Sequence, residues 1–367
     1  MQDDELCTLS SANELDALAD EWNELAARCP GYFFSQTYRW AVAAWRHVGD
    51  PRGRTLHCLT LRAQGRPVAV WPLVVERRGT LSVVRPLGPE ASEYCAPLIE
   101  PDSNQAARTR RLWQEAARLG ELAMLPNVRS GTPLADLLAA AGLWRAPDTA
   151  SPAPFILRSD YADWPAYQAS LSASMRRRMR RARAKLPKQS VFALEARDSG
   201  IGLIDWMLAG KQRWLAGRGA HSDWIGRPDY RDFLAALATQ PHDPAGALLF
   251  ALRIDGKLIA AKLATLDPRR LEIQMDVYDP AWSASAPGRL LTEYCLQWAF
   301  EHGLDFDFRI GEETYKLDWA PHSCDVVTWY VATGWRGLPV VARRRAVLWS
   351  WQLKSLLRRL LRRGRAP

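Results

Sequence analysis

Lysine is scarce in this chain: only seven of the 49 basic residues are lysine, and the rest are arginine. A lysine inside a motif therefore marks a place that wants a compact ammonium instead of a planar fork. Paired metal-binding residues are missing as well. Cys7, Cys29, Cys58, Cys95, Cys295 and Cys324 are scattered with no Cys-x-x-Cys, and the six histidines include no His-x-x-His or His-Glu-x-x-His. The common zinc frameworks are thus excluded, no metal is expected, and the thiols read as buried or free groups in a reducing compartment. No uncharged apolar run reaches the ~20 residues that a spanning helix needs. The start, Met1-Gln2-Asp3-Asp4-Glu5, is acidic and unlike a secretion signal. A cytoplasmic protein is expected, at most peripheral at the inner face of the cytoplasmic membrane.

What is present is length and an uneven charge. A chain of 367 residues that is 48% hydrophobic can build two domains with real cores. The net charge is +9, yet Arg336 to Pro367 holds ten basic residues and no acid, so the body is close to −1. The partner implied by the charge belongs to this tail. Leu353, Leu356, Leu357, Leu360 and Leu361 form one stripe at helical spacing, extended by Ala346 and Trp349, with the cations mostly off it. That pattern suits an anionic membrane surface. A helix docked on the body or a disordered basic end would read similarly.

Two segments repeat. Leu56–Leu61, Val68–Val75 and the run from Leu81 match Leu248–Ile254, Leu258–Leu266 and Leu271–Tyr278. Each reads as a three-stranded meander with a tight first turn, at Gln64-Gly65-Arg66 and Asp255-Gly256-Lys257. Helical sequence precedes both, at Phe33–His47 and Tyr230–Thr239, and another helix is expected over Asn104–Leu119. The spacing Gly65 to Gly256, 191 residues, predicts one duplicated unit. The expected division is residues 1–150, a linker with a basic helix at 151–190, a second domain at 191–335, and the tail 336–367. The boundary falls in the proline-rich stretch Arg145–Pro154. The linker, Tyr161 to Pro187, reads as helical, with Met175, Met179, Ala182 and Leu186 on one face and seven cations from Arg176 to Lys185 on the others.

The densest signal runs from Asp276 to Trp319. A strand, Glu272–Tyr278, leads through a loop to Ala286-Pro287-Gly288-Arg289 and a helix over Leu290–Glu301. A second strand, Asp305–Ile310, ends in Gly311-Glu312-Glu313-Thr314-Tyr315-Lys316. Its alternation sets Phe306, Phe308 and Ile310 on one face and Asp305, Asp307 and Arg309 on the other. A helix entrance leaves outward N–H groups and a positive dipole end, which is a place for a pyrophosphate. An ordinary helix start with proline in the first turn would look the same, and only one glycine is present.

Asp279, Ser285, Pro287-Gly288, Leu291, Gly303, Asp305-Phe306-Asp307-Phe308, Gly311, Glu313, Tyr315-Lys316 and Trp319 resemble the acetyltransferase family named after the cellulose-biosynthesis proteins CelD and BcsL, within the GNAT superfamily. The pattern Phe-Asp-Phe-x-x-Gly-x-x-x-Tyr-Lys after a Pro-Gly entrance carries the resemblance. It implies an α/β (α+β) fold of two GNAT-like domains, each a mixed and mostly antiparallel sheet flanked by helices, as in the tandem Fem-type transferases. It implies an acyl-CoA co-substrate, acetyl-CoA or another, in the second copy only.

The expected reaction is acyl transfer to an amine or hydroxyl of a cell-envelope or exopolysaccharide precursor. Asp307, Tyr315, Lys316 and Tyr278 are the catalytic candidates. Met275, Val277, Ala286, Pro287, Gly288 and Arg289 are the donor-binding candidates. Arg309, Glu313, Trp319 and Trp282 are the acceptor candidates, with Trp214 and Trp224 behind them. Each has a plainer reading: a paired strand carboxylate for Asp307, a surface charge for Lys316, aromatic packing for Tyr315 and the tryptophans. Trp22, Trp40 and Trp45 are expected in the core. Two rival functions stay open, a Fem-like aminoacyl transferase using charged tRNA and a catalytically degenerate scaffold in a membrane polysaccharide-synthesis complex. Nucleic acid as a direct partner is the weakest reading, because no recognised binding fold accompanies the basic helix.

Overall fold

Both tight turns form as their sequences require. Gln64 and Gly65 have φ of 51° and 80°, and Asp255 and Gly256 have 49° and 75°. Two consecutive positive φ values match the right-handed twist of a hairpin. The first turn joins β2 (Thr55–Ala63) to β3 (Arg66–Arg78), followed by β4 (Leu81–Pro86). The second joins β10 (Gly246–Ile254) to β11 (Lys257–Leu266), followed by β12 (Arg270–Tyr278). The structure, a computed structural model, describes residues 4–89, 94–140, 144–241, 244–311 and 313–363, with the side chains of residue 314 and residues 351–363 outside the description.

Around the first meander lie β1 (Glu5–Leu9), α1 (Ala12–Ala17), α2 (Ala19–Ala27) and α3 (Tyr38–Ala44). After it come β5 (Leu98–Ile99), α4 (Gln105–Arg118), β6 (Leu122–Arg129), α5 (Pro133–Ala139), β7 (Arg145–Pro147) and β8 (Ser151–Ile156). The second meander is preceded by α6 (Trp164–Ser170), α7 (Ala173–Ala184), β9 (Ser190–Leu194), α8 (Gly200–Ala216) and α9 (Pro228–Thr239). It is followed by α10 (Pro287–Glu301), β13 (Asp305–Asp307), α11 (Thr314–Leu317), β14 (His322–Ala332) and α12 (Leu338–Arg363). The linker expected as one helix is two, because the Ser172 hydroxyl caps α7 by accepting from the Met175 N–H at 3.1 Å.

The expected mixed, mostly antiparallel α/β architecture is present, and the two halves share one sheet. Its order is β1-β2-β3-β4-β6-β14-β8-β13-β12-β11-β10-β9, with β5 on β3 and β7 on β14. Among the described residues only β4–β6 and β12–β13 are parallel. The last strands cross over: β14 of the second half pairs with β6 of the first, and β8, at the start of the expected linker, pairs with β13 of the second. The stretch 145–154 therefore lies in the middle of the sheet, as β7 and the start of β8. Its prolines are tolerated because Pro152 and Pro154 only need to accept there, from the N–H groups of Gly311 and Phe308, each at 3.0 Å.

Two cores sandwich the second meander. On one face α10 and the Met175–Met179–Ala182 stripe of α7 meet Phe250, Leu271 and Phe306. On the other, α8 and α9 merge with α2 and α3, and the rings of Trp40 and Phe233 are 4.9 Å apart edge to face. Trp22, Trp40 and Trp45 are buried, as expected. A third core, around Trp71 and Leu112, lies under α4. The tail is helical from Leu338 and is anchored by fully buried Val341, while Trp335 and Trp349 stand exposed. The leucine stripe of the tail, Leu353 to Leu361, lies outside the described side chains.

Candidate functional site: a split between two parallel strands

β12 and β13 pair over three residues only: Arg270 with Asp305, Leu271 with Phe306, and Glu272 with Asp307. Beyond that they part. On β12 the register slips between Ile273 and Met275, leaving Gln274 as a bulge. The bulge reverses the alternation, so Leu271 and Ile273 face the α10 core while Met275 and Val277 face the α8–α9 core. On the other side the expected strand to Ile310 stops at Asp307, because Arg309 has φ of +55° and turns the chain toward β8. From Ile273 to Tyr278, β12 has no strand beside it on that side among the described residues. α10 starts at the open end of this split, where Gly288 lies against Tyr278.

Several expected residues meet at that mouth. Ala286 takes φ of 48° as the cap of α10, and Pro287 opens the first turn. A Cβ on Gly288 would lie 3.3 Å from the Tyr278 ring, so the glycine lets this half-exposed ring cover the entrance. Burial, then Asp276 and Glu313, push the Tyr315 phenol well above its ordinary range, so it keeps its proton. The buried Lys316 ammonium donates to the Ile310 carbonyl at 2.8 Å and pairs with Glu313 at 3.1 Å. Gly311, at φ +152°, makes this possible: a Cβ there would collide with both charged groups. Burial would raise the Asp276 carboxyl, but Lys262, 3.5 Å away and itself buried, followed by Lys211 and Lys316, leaves it below its ordinary value. Arg289 pairs with Asp318 at 3.2 Å, and Arg178 of α7 reaches the same carboxylate at 2.8 Å.

Asp307 lies in a second cluster, at the seam between the halves. Its Oδ1 accepts from the Tyr94 hydroxyl at 2.9 Å and the Arg309 N–H at 2.6 Å, and its Oδ2 accepts from Arg129 at 2.9 Å. The Arg309 guanidinium is held by Glu272 at 2.9 Å and by Gln274 Oε1 at 2.8 Å. Glu272 is fully buried, and its Oε1 has no hydrogen-bond partner among the described residues. Glu272 and Asp307 are register partners, so two carboxylates stand side by side, neutralised by two arginines. Asp307 and Arg309, expected on a charged face, are thus buried, with Tyr94 and Arg129 coming from the first half to cover them, while Asp305 stays partly exposed and pairs with Arg269 at 3.2 Å.

Other candidates lie apart from both clusters. The side chains of Met275 and Val277 are buried in the core, with Val277 against Gly210 of α8, so only their backbone borders the opening. Trp319 is buried and its carbonyl accepts from the Tyr167 hydroxyl, while Trp282 packs at the edge of the same core. Trp214 is 43% exposed under Lys211 and Arg218, and Trp224 lies under Arg52. Glu313 is exposed and occupied with Lys316. Glu272, Tyr94 and Arg129 were not anticipated: Glu272 reads as the polar start of a strand, and the other two have no nearby motif. A larger cavity, about 770 Å³, lies at the opposite end of β12, lined by Tyr32, Arg39, Arg158, Arg269 and Asp305 among others.

The first half has the equivalent split, where β4 and β6 pair only at Val83–Leu122 and Val84–Ala123. Here the chain fills it. Cys95 donates its N–H to Asn127 on β6 at 3.2 Å, and the space left among Trp71, Leu87, Cys95 and Pro126 is about 20 Å³. Among the described residues no three His, Cys, Asp or Glu side chains form a metal-binding group, and no helix is long and apolar enough to cross a membrane.

The Acetyltransferase (GNAT) domain family matches residues 173–317, which include α7, the split strands and the Tyr-Lys motif. No curated protein matches the sequence. Solved structures match almost the whole fold. FemX is 12% identical with a TM-score of 0.60, over 90% of this chain and 96% of that one. The C-terminal DUF2156 domain of a protein described as a lysylphosphatidylglycerol synthetase, from Agrobacterium fabrum, is 14% identical with a TM-score of 0.55, over 92% and 98%. A tandem GNAT protein from the clavulanic acid biosynthesis pathway is 16% identical with a TM-score of 0.52, over 90% and 99%. The fold is that of GNAT acyltransferases, with tandem GNAT-like structural neighbours.

Proposed function

We propose that the chain transfers an acyl group, acetyl in the simplest case, from an acyl-CoA to an amine or hydroxyl of a cell-envelope or exopolysaccharide precursor. The observation that carries this reading is the split between β12 and β13, with a bulge at Gln274, a helix entrance at its mouth and a protonated Tyr315 beside it. The thioester arm would lie along the open edge of β12, adding backbone hydrogen bonds as a strand does, with its diphosphate at Ala286–Gly288. The acceptor nitrogen or oxygen attacks the thioester carbonyl. The new C–N or C–O bond forms, the C–S bond breaks, and the thiolate takes a proton from Tyr315. The acceptor proton goes to a carboxylate on the seam side. Glu272 fits that role through its free Oε1, while Asp307, held by three donors, orients the pair. Lys316 and Gly311 shape the loop between the two sides. The first half is read as having no donor of its own, which agrees with its filled split.

The CelD/BcsL resemblance favours the envelope acceptor, and the exposed Trp335 and Trp349 with the basic tail favour peripheral attachment at an anionic membrane face. A second reading, aminoacyl transfer from charged tRNA, is favoured by the exposed arginines of α7. Calorimetry with acetyl-CoA, longer acyl-CoAs and an aminoacyl-tRNA separates the two. Micromolar binding of an acyl-CoA, with thiol released on adding an acceptor, is the expected result. Binding of the tRNA alone would reverse the assignment.

A further inference from the structure

That chemistry leaves α7 unused, although it forms a wall of cations. A cavity of about 380 Å³ opens between α7 and the turn before α10. Arg177, Arg178, Arg181 and Lys185 line one side, and Ala284 and Ala286 the other. The cations recur at helical spacing, with Met175, Met179 and Ala182 buried on the opposite face. No lining residue is acidic. Arg178 is engaged by Asp318 at 2.8 Å, and Lys185 by the Ala284 carbonyl at 3.0 Å. Arg177 and Arg181 are exposed and have no carboxylate partner among the described residues. Arg177, Arg181 and Lys185 thus bring three charges into the groove that no carboxylate among the described residues offsets, a field that favours an anion.

The neighbouring backbone is poorly equipped to hold an anion alone. Pro287 has no N–H. The N–H groups of Arg289 and Leu290 turn back to the Ala286 carbonyl, at 3.0 and 3.2 Å. Gly288 is left with one N–H free among the described residues. Ala286 both lines the groove and caps α10, so the groove adjoins the helix entrance at the mouth of the split.

We propose that the groove is a separate phosphate subsite, in which Arg177 and Arg181 take the terminal phosphomonoester of a nucleotide-bearing acyl donor of the CoA class. The proposal rests on the acyl-CoA reading and adds the part of the donor recognised by side chains instead of backbone. A phosphomonoester carries close to two charges and accepts from two guanidinium forks, whereas a hydroxyl in its place offers neither.

The test is calorimetry with CoA and 3′-dephospho-CoA on the wild type and on the Arg177→Ala/Arg181→Ala variant. Both side chains are exposed, so the change leaves the core untouched. The wild type should prefer CoA by about tenfold to a hundredfold, and the variant should bind both ligands at the dephospho level. A variant that keeps the preference, or a wild type indifferent to the 3′-phosphate, overturns the subsite and leaves the donor reading standing. Failure of both ligands to bind the wild type overturns both. Uncharged tRNA is the third arm: RNA binding lost in the variant, with CoA binding unchanged, assigns the groove to RNA and overturns the proposal.

Discussion

Replacing Asp307 by asparagine separates a structural carboxylate from a catalytic one. The side chain is almost fully buried and accepts from the Tyr94 hydroxyl, the Arg309 N–H and Arg129. Arg129 is 16% exposed and ringed by Phe33, Tyr94 and Phe155, with its guanidinium 5.0 to 5.5 Å from their centroids. Neutralising Asp307 leaves that guanidinium in an aromatic cage without its counter-ion. Breaking a buried pair from one side costs about 3–5 kcal/mol. A chain of 367 residues unfolding as one unit carries roughly 0.8 kcal/mol per kelvin of unfolding entropy, so the melting temperature should fall by about 4–6 °C. Arg129→Met added to Asp307→Asn removes the orphaned charge and should recover part of the loss. Differential scanning calorimetry of the singles and the double, beside acyl-transfer assays, is the measurement. A fall in stability and turnover together is expected. An unchanged melting temperature with kcat down by ~10²–10⁴-fold would refute the positioning role and restore Asp307 as the base.

Three further outcomes follow from the same geometry. Gly311→Ala should cost about 1–3 kcal/mol from its φ of +152° and should expel Lys316 from the Ile310 carbonyl; combining it with Lys316→Ala should cost less than the two losses added, as read by denaturant unfolding. Asp267 is fully buried, and burial with Glu272 nearby raises its carboxyl despite Arg270, so its ionisation opposes folding: wild-type stability should fall as pH rises from about 4 toward the raised value, and Asp267→Asn should flatten that slope in pH-dependent melting. Deleting from Arg336 would strip Val341 from its core, so the informative truncation removes residues 350–367, which carry six cations; it should abolish salt-sensitive binding to anionic vesicles in co-sedimentation while the body melts unchanged, and equal sedimentation of both forms would exclude the tail as the membrane contact.

Local order spoke clearly in the residues. Gln64-Gly65 and Asp255-Gly256 encode their turns because two positive φ values suit few other pairs, and the meanders around them were legible for that reason. The Pro-Gly entrance to α10, the apolar stripe of α7 and the glycine before the Tyr-Lys pair were legible too, because each is a short-range steric or periodic requirement. The expectation of a duplicated unit rested on repetition of those signals. By itself the sequence determined the two meanders with their turns, the helices flanking them and the GNAT-type architecture.

Tertiary structure decided what the charged residues of the site do. An alternating Asp305-Phe306-Asp307-Phe308-Arg309-Ile310 looks like a strand with a solvated charged face, yet Arg309 leaves the strand and Tyr94 and Arg129 cover Asp307 and Arg309. Those two lie 213 and 178 positions from Asp307, and no periodicity carries information over such a distance. The crossing over of β8 and β14 is hidden for the same reason: a strand's pattern shows that it has a buried neighbour, not which half supplies it. Met275 and Val277 look like an open edge in sequence, but the bulge at Gln274 turns their side chains into the core. Burial converts charge from a solubility feature into a paired network, and burial is a property of the assembled sheet.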